Sequence, residues 1–115
     1  MSKRNLEMIR GEREEFVFVL IIHTEGKPDV QGFFPGDIFD FTVRKNFDSP
    51  VVISRRIEEF TDEGKAVVEI YPEDTCDLDV GKYVYDGQFT RSDGYVRTVF
   101  GPAVFSILPE KENEP

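Results

Sequence analysis

This sequence predicts an all-β fold: an antiparallel β-sandwich of about seven strands with one short helical turn. Three observations lead there. Segments rich in Val, Ile, Phe and Tyr recur between clusters of Gly, Pro, Asp and Asn, at spacings too short for the crossover helices that a parallel sheet requires. The composition is strand-forming, with 11 Phe and no Trp in 115 residues, so a core must be built from Phe, Tyr, Val and Ile. The spacing Asp79-x-Gly81-x-Tyr83 opens one segment with a tyrosine placed to return its hydroxyl to backbone a few residues upstream, which ties an arch between two sheets. A chain of this length can close one two-layer core without metal or disulfide support. The expected organisation is an N-terminal arm over 1–13, the sandwich over 14–108 and a disordered acidic tail over 109–115.

The elements follow in order. Residues 16–22 form an unbroken apolar run of β-formers, apolar on both faces if extended, and Glu12, Arg13, Glu14 and Glu15 stand before it as gatekeepers against edge pairing. Phe16, Phe18, Leu20 and Ile22 then share one face, and Val17, Val19 and Ile21 form a second apolar row that something must cover. Either another subunit covers it, or residues 1–10, with Leu6, Met8 and Ile9, fold back over it. Residues 24–32 read as a turn-rich connection leading to Phe33 and Phe34, which point opposite ways if extended. The plainer reading buries both rings; the alternative leaves one partly exposed.

In 37–44, Phe39, Phe41 and Val43 alternate with Asp40, Thr42 and Arg44, the pattern of a half-buried strand. Turn chemistry over 46–50 precedes a strand from 51, with Val51, Ile53 and Ile57 on one side. Arg55 breaks that inward parity, as it would at a strand end or a bulge. After the turn at 61–64, Ala66, Val68 and Ile70 make the next inward set. Pro72 and the acidic residues behind it suit a single helical turn over 73–78. Tyr83, Tyr85, Gly87 and Phe89 share a face of the following strand. The segment 91–94 is a hairpin signal with Gly94 free to take positive φ. Two last strands, 95–100 and 103–108, are separated by Gly101-Pro102. The architecture this describes is immunoglobulin-like, without the Cys, Trp, Cys pin of antibody-type domains; a small barrel is the structural rival.

Charge and single residues bound the chemistry. Fourteen basic against 23 acidic residues give a net charge of −9, which repels phosphate backbones and anionic lipid, so neither nucleic acid nor membrane is expected as a partner. No secretory leader or membrane span is expected, and the product is expected to be made in the cytoplasm. Cys76 is the only cysteine and His23 the only histidine, too far apart in sequence, with no orienting group evident, to suggest a catalytic dyad. No serine sits in a nucleophile elbow. Glu73, Asp74, Asp77 and Asp79 lie close together, but the calcium-loop spacing with its Gly and distal Glu is absent. No catalytic residue, metal or cofactor is therefore expected.

Five segments, Gly36-Asp-Ile-Phe-Asp-Phe-Thr-Val43, Gly64-Lys-Ala-Val-Val-Glu-Ile-Tyr-Pro-Glu-Asp-Thr75, Gly81-Lys-Tyr-Val-Tyr-Asp86, Asp93-Gly-Tyr-Val-Arg-Thr98 and Gly101-Pro-Ala-Val-Phe105, carry a resemblance in that order. They resemble the small sandwich domains of bacteriophage and prophage structural proteins, notably the N-terminal domain of the baseplate upper protein family. The resemblance spans about residues 14–108 and implies a non-enzymatic virion component of tail or baseplate type, made in a bacterial cytoplasm, that acts by homo-oligomerisation or by contacts with other virion proteins. The expected interface is Phe16, Val17, Val19, Ile21, Phe33 and Phe34; the expected structural corner is Asp79, Gly81 and Tyr83. The competing function class is a small ligand- or carbohydrate-binding β-sandwich module, which exposed aromatics beside Asp, Asn or Gln would favour.

Overall fold

The computed structural model describes residues 4–23 and 25–110. Along them run β1 (Leu6–Ile9), β2 (Glu14–Val19), β3 (Ile21–Ile22), β4 (Val30–Gln31), β5 (Ile38–Arg44), β6 (Val51–Ile57), β7 (Lys65–Ile70), the helical turn α1 (Pro72–Thr75), β8 (Gly81–Thr90) and β9 (Val96–Leu108). Strands β1-β9-β8-β5-β6 form one sheet, and the ribbons β2-β7 and β3-β4 complete the β structure. The fold is a two-layer all-β sandwich. The five-stranded sheet ends at β1 on one side and β6 on the other, so it does not close into a barrel.

The core lies between that sheet and β2-β7, and side-chain alternation puts it there. Phe39, Phe41 and Val43 of β5, Ala66, Val68 and Ile70 of β7, and Tyr83, Tyr85 and Phe89 of β8 all point inward and are buried. From the other layer the Phe18 ring reaches Phe39, Phe41, Tyr85 and Phe100, with centroids 5.2, 5.8, 6.4 and 4.8 Å away. Phe16 meets Phe105 edge-on at 5.8 Å. Each such ring contributes about 1.5–3 kcal/mol by leaving water. Gly87 occupies an inward position because a Cβ there would lie 2.6 Å from the Phe39 ring. Gly101 has φ +73° and no room for a side chain, since a Cβ would lie 2.5 Å from the Tyr85 carbonyl oxygen. There the β8-β9 ladder shifts register, and the two strands expected on either side of Gly101-Pro102 run as the single strand β9.

The N-terminal segment corrects the expected domain limits. Residues 6–9 are not an arm outside the sandwich but its edge strand, paired in parallel with Phe105 to Leu108 of β9, so the fold is not wholly antiparallel. Leu6 and Met8 enter the core, which leaves the second row of β2 uncovered by them. Three polar ties hold the segment. The Tyr85 hydroxyl donates to the Arg4 carbonyl, the Val104 amide donates to Asn5 Oδ1 at 3.1 Å, and Arg4 Nη1 donates to the Val17 carbonyl at 3.0 Å. Burial raises the Tyr85 phenol above its ordinary pKa.

Other differences have local causes. The apolar run 16–22 is divided at Leu20, where the chain leaves β7 and takes β4 as partner. Arg55 sits at neither a strand end nor a bulge: it lies on the inward side of β6 opposite Phe41, and its guanidinium crosses to Asp74 and to the Glu69 carbonyl, bridging the layers. The irregularity falls instead at Val52, between the pairs Val43/Ile53 and Arg44/Val51, and Val51 is consequently exposed rather than inward. The helical turn begins one residue earlier than expected and ends at Thr75. The acidic tail expected over 109–115 lies outside the described residues from 111 onward. Within it Glu110 pairs with Arg10 at 3.0 Å.

Candidate functional site

One end of the sandwich is closed by polar ties. The Tyr83 hydroxyl donates to the Asp79 carbonyl at 2.7 Å, the arch that the Asp79-x-Gly81-x-Tyr83 spacing predicts, and burial followed by the nearby Asp79 charge raises the Tyr83 pKa. Gly81 opens the strand with φ +146°. The Lys45 ammonium lies 4.6 Å from the Tyr83 ring centroid. The β1-β2 turn docks on the helical turn through the Gly11 amide, which donates to the fully buried Thr75 Oγ1 at 2.9 Å. Asp74 accepts from the Tyr71 amide at 2.7 Å as well as from Arg55. Its carboxylate is therefore committed to the helix entry and to the Arg55 guanidinium. Among the described residues no group of three or more His, Cys, Asp and Glu converges as metal ligands would. Cys76 is exposed and free; His23 is exposed and bonds Asp29 at 2.7 Å through Nδ1.

The expected interface splits in two. Phe16 and Phe33 are buried in the core and are removed from it, because the inward parity of β2 and the turn before β5 commit both rings to packing. Val17 and Val19 of β2, Ile21 of β3 and Phe34 remain exposed, the first three at alternate positions of one run and Phe34 apart from them. Across the ribbon Val17 faces Val67 and Val19 faces Lys65. Among the described residues β2 pairs only with β7, so Val17 and Val19 lie on an edge strand. Charges guard its start, where Arg13 pairs with Glu15 at 2.8 Å and with Glu69 at 3.4 Å.

At the opposite end, two loops distant in sequence meet at their glycines. The Gly32 amide donates to the Leu20 carbonyl at 2.7 Å and the Phe33 amide to the Gly64 carbonyl at 2.8 Å. A Cβ on Gly64, whose φ is +74°, would lie 3.1 Å from the Phe33 oxygen, so the approach needs glycine. Between these loops opens a cavity of about 550 Å³. Phe33 and Phe60 stack face to face in its wall at 4.6 Å, and Phe34, half exposed at 50%, stands beside them. Of the two readings of these adjacent rings, burial of both is corrected and the one that leaves a single ring partly exposed holds. The turn after Phe34 is locked by Asp37, which is buried and accepts from the Phe34 amide at 2.9 Å. Arg91 sits 3.6 Å from Asp37, with its guanidinium 5.0 Å from the Phe89 centroid and 5.8 Å from that of Phe34. Its Nη2 has no acceptor among the described residues, and the guanidinium lies near the Phe89 and Phe34 rings instead.

No protein-family model matches the chain, and no curated protein aligns with it. No helix among the described residues is long and apolar enough to cross a membrane. The exposed row that begins on β2 and the cavity are two surfaces open to a partner or a ligand. Only the row was visible in the sequence, as an alternation in which both phases are apolar. The cavity depends on two glycines whose pairing no local pattern announces.

Proposed function

We propose that this protein is a non-enzymatic assembly module that works through protein–protein contact, and that the contact surface is the exposed row Val17 and Val19 of β2 continued by Ile21 of β3. The observation that carries this reading is three exposed β-branched apolar residues at alternate positions, Val17 and Val19 on the edge strand β2 and Ile21 on β3. Thr has comparable strand propensity and would keep the outer face wet, so strand formation alone does not require apolar residues there. An uncovered apolar row on an edge is the usual mark of a surface that another chain covers. A second copy of the chain is the partner we infer, since the row is self-complementary in chemistry. The setting we infer is a phage or prophage particle, supported by the sequence resemblance to the baseplate upper protein family.

Size-exclusion chromatography with light scattering tests the surface. The Val19→Glu variant, folded by circular dichroism, should elute as a smaller species than the unmodified protein at equal loading. Equal masses for the two would remove this surface from the reading. Copies that each carry −9 repel one another, so the association should strengthen as salt is raised. A second reading, a small ligand- or carbohydrate-binding module, is favoured by the cavity with its exposed Phe34 and neighbouring Gln31. Its volume falls within the range of small-molecule sites, roughly 300–1,000 Å³.

A further inference from the structure

We infer that the cavity between the 31–35 and 58–64 loops binds a small organic cation, a compound bearing a protonated or quaternary ammonium group. This rests on the ligand-module reading above and replaces its sugar with a charged ligand. The walls decide the class. The half-exposed Phe34 and the partly buried Phe60, backed by Phe33, supply aromatic surface, and ring faces attract cations through their quadrupole. Phe34 already shows that chemistry in the folded protein, with the Arg91 guanidinium near its ring. The charged part of the lining is acidic: Glu58, Glu59, Asp62 and Glu63 line the cavity, and among the described residues no Lys or Arg does. Glu63 pairs with Lys65 at 3.5 Å. Glu58, Glu59 and Asp62 have no ion-pair partner among the described residues, so a guest ammonium would meet uncommitted carboxylates. A phosphate or carboxylate guest would meet repulsion from these groups and from the whole chain. The site is open at the end of the sandwich, and its two loops are joined by the Phe33 amide donating to the Gly64 carbonyl, which reduces the ordering that binding requires.

An amide NMR titration of the full chain with choline chloride tests this, with maltose as the neutral arm and a Gly-Lys-Gly peptide blocked at both ends as the arm for a protein-borne ammonium. Choline should give saturable shifts confined to residues 31–37 and 58–64. Affinity should fall about two- to fivefold in Phe34→Ala, the effect of losing an exposed cation–π contact. It should fall further in a Glu58→Gln, Glu59→Gln double variant and weaken with added salt. Saturation by maltose with no response to choline would overturn the cation assignment while leaving the ligand-module reading intact. Silence from every arm would overturn both. Binding of the lysine peptide as tight as that of choline would overturn the small-molecule form and assign the cavity to a protein side chain.

Discussion

Along one short run of chain, Phe16, Phe18 and Leu20 are 6%, 1% and 1% exposed, while the interleaved Val17, Val19 and Ile21 are 39%, 48% and 60% exposed. Both rows are apolar and strand-forming, and backbone geometry alone sends them to opposite sides. The inner row carries the large rings. Phe18 sits among four aromatic neighbours from three strands of the other sheet, so its side is fixed by packing. The outer row carries only β-branched aliphatics, Val17 and Val19 over the β2-β7 ribbon and Ile21 on the β3-β4 ribbon, each two strands wide. Hydrophobicity therefore says that a residue seeks cover, and only the fold shows which residues have found it within the chain. The inner row accounts for stability and the outer row is free to account for assembly.

Substitutions on the two rows should separate these roles. Phe18→Ala removes the central ring of the core and should cost about 3–5 kcal/mol in chemical denaturation. A cost under about 1 kcal/mol would mean that the layers do not meet at Phe18. Met8→Ala probes the strand taken for an arm and should cost about 2–5 kcal/mol, because Met8 is buried beneath the β1-β9 ladder. A loss within about 0.5 kcal/mol, the scale of an ordinary surface change, would return residues 6–9 to the role of an arm. Tyr83→Phe should cost about 1 kcal/mol through the lost bond to the Asp79 carbonyl. The raised Tyr83 pKa adds a pH signature. Burial of the neutral phenol stabilises the fold fully below the unfolded tyrosine value of about 10 and progressively less as pH climbs from there through the raised folded value. The alkaline fall in stability should accordingly be shallower in Tyr83→Phe. Val19→Thr, on the outer row, should leave unfolding of the isolated subunit within about 0.5 kcal/mol.

What the sequence revealed follows the range of the interactions involved. The alternations in β5, β7 and β8 were legible because a period of two assigns faces locally. The Tyr83 arch was legible because donor and acceptor lie four residues apart in the chain. Strand β1 was not: Leu6 and Met8 alternate over only four residues, and their partner Phe105–Leu108 segment lies at the other end of the sequence. The inward Arg55 read as an irregularity because its acceptors, Asp74 and the Glu69 carbonyl, belong to the other layer and the turn beyond it. Phe33 and Phe34 look alike in sequence. Their separation, one ring stacked on Phe60 and the other half exposed, is set by the Asp37 lock and the Gly32–Gly64 approach, which are properties of the assembled end.

Sedimentation equilibrium of the intact protein, from about 1 to about 100 µM in moderate salt, tests the assembly role most directly. The expected result is a mass that rises above that of one 13.3 kDa chain with concentration, and that returns to the single-chain value in Val19→Glu. A contact of that kind should bury at least roughly 1,000 Å² in total. A single-chain mass throughout the range for the unmodified protein would contradict the proposal that the outer row of β2 joins one copy to another.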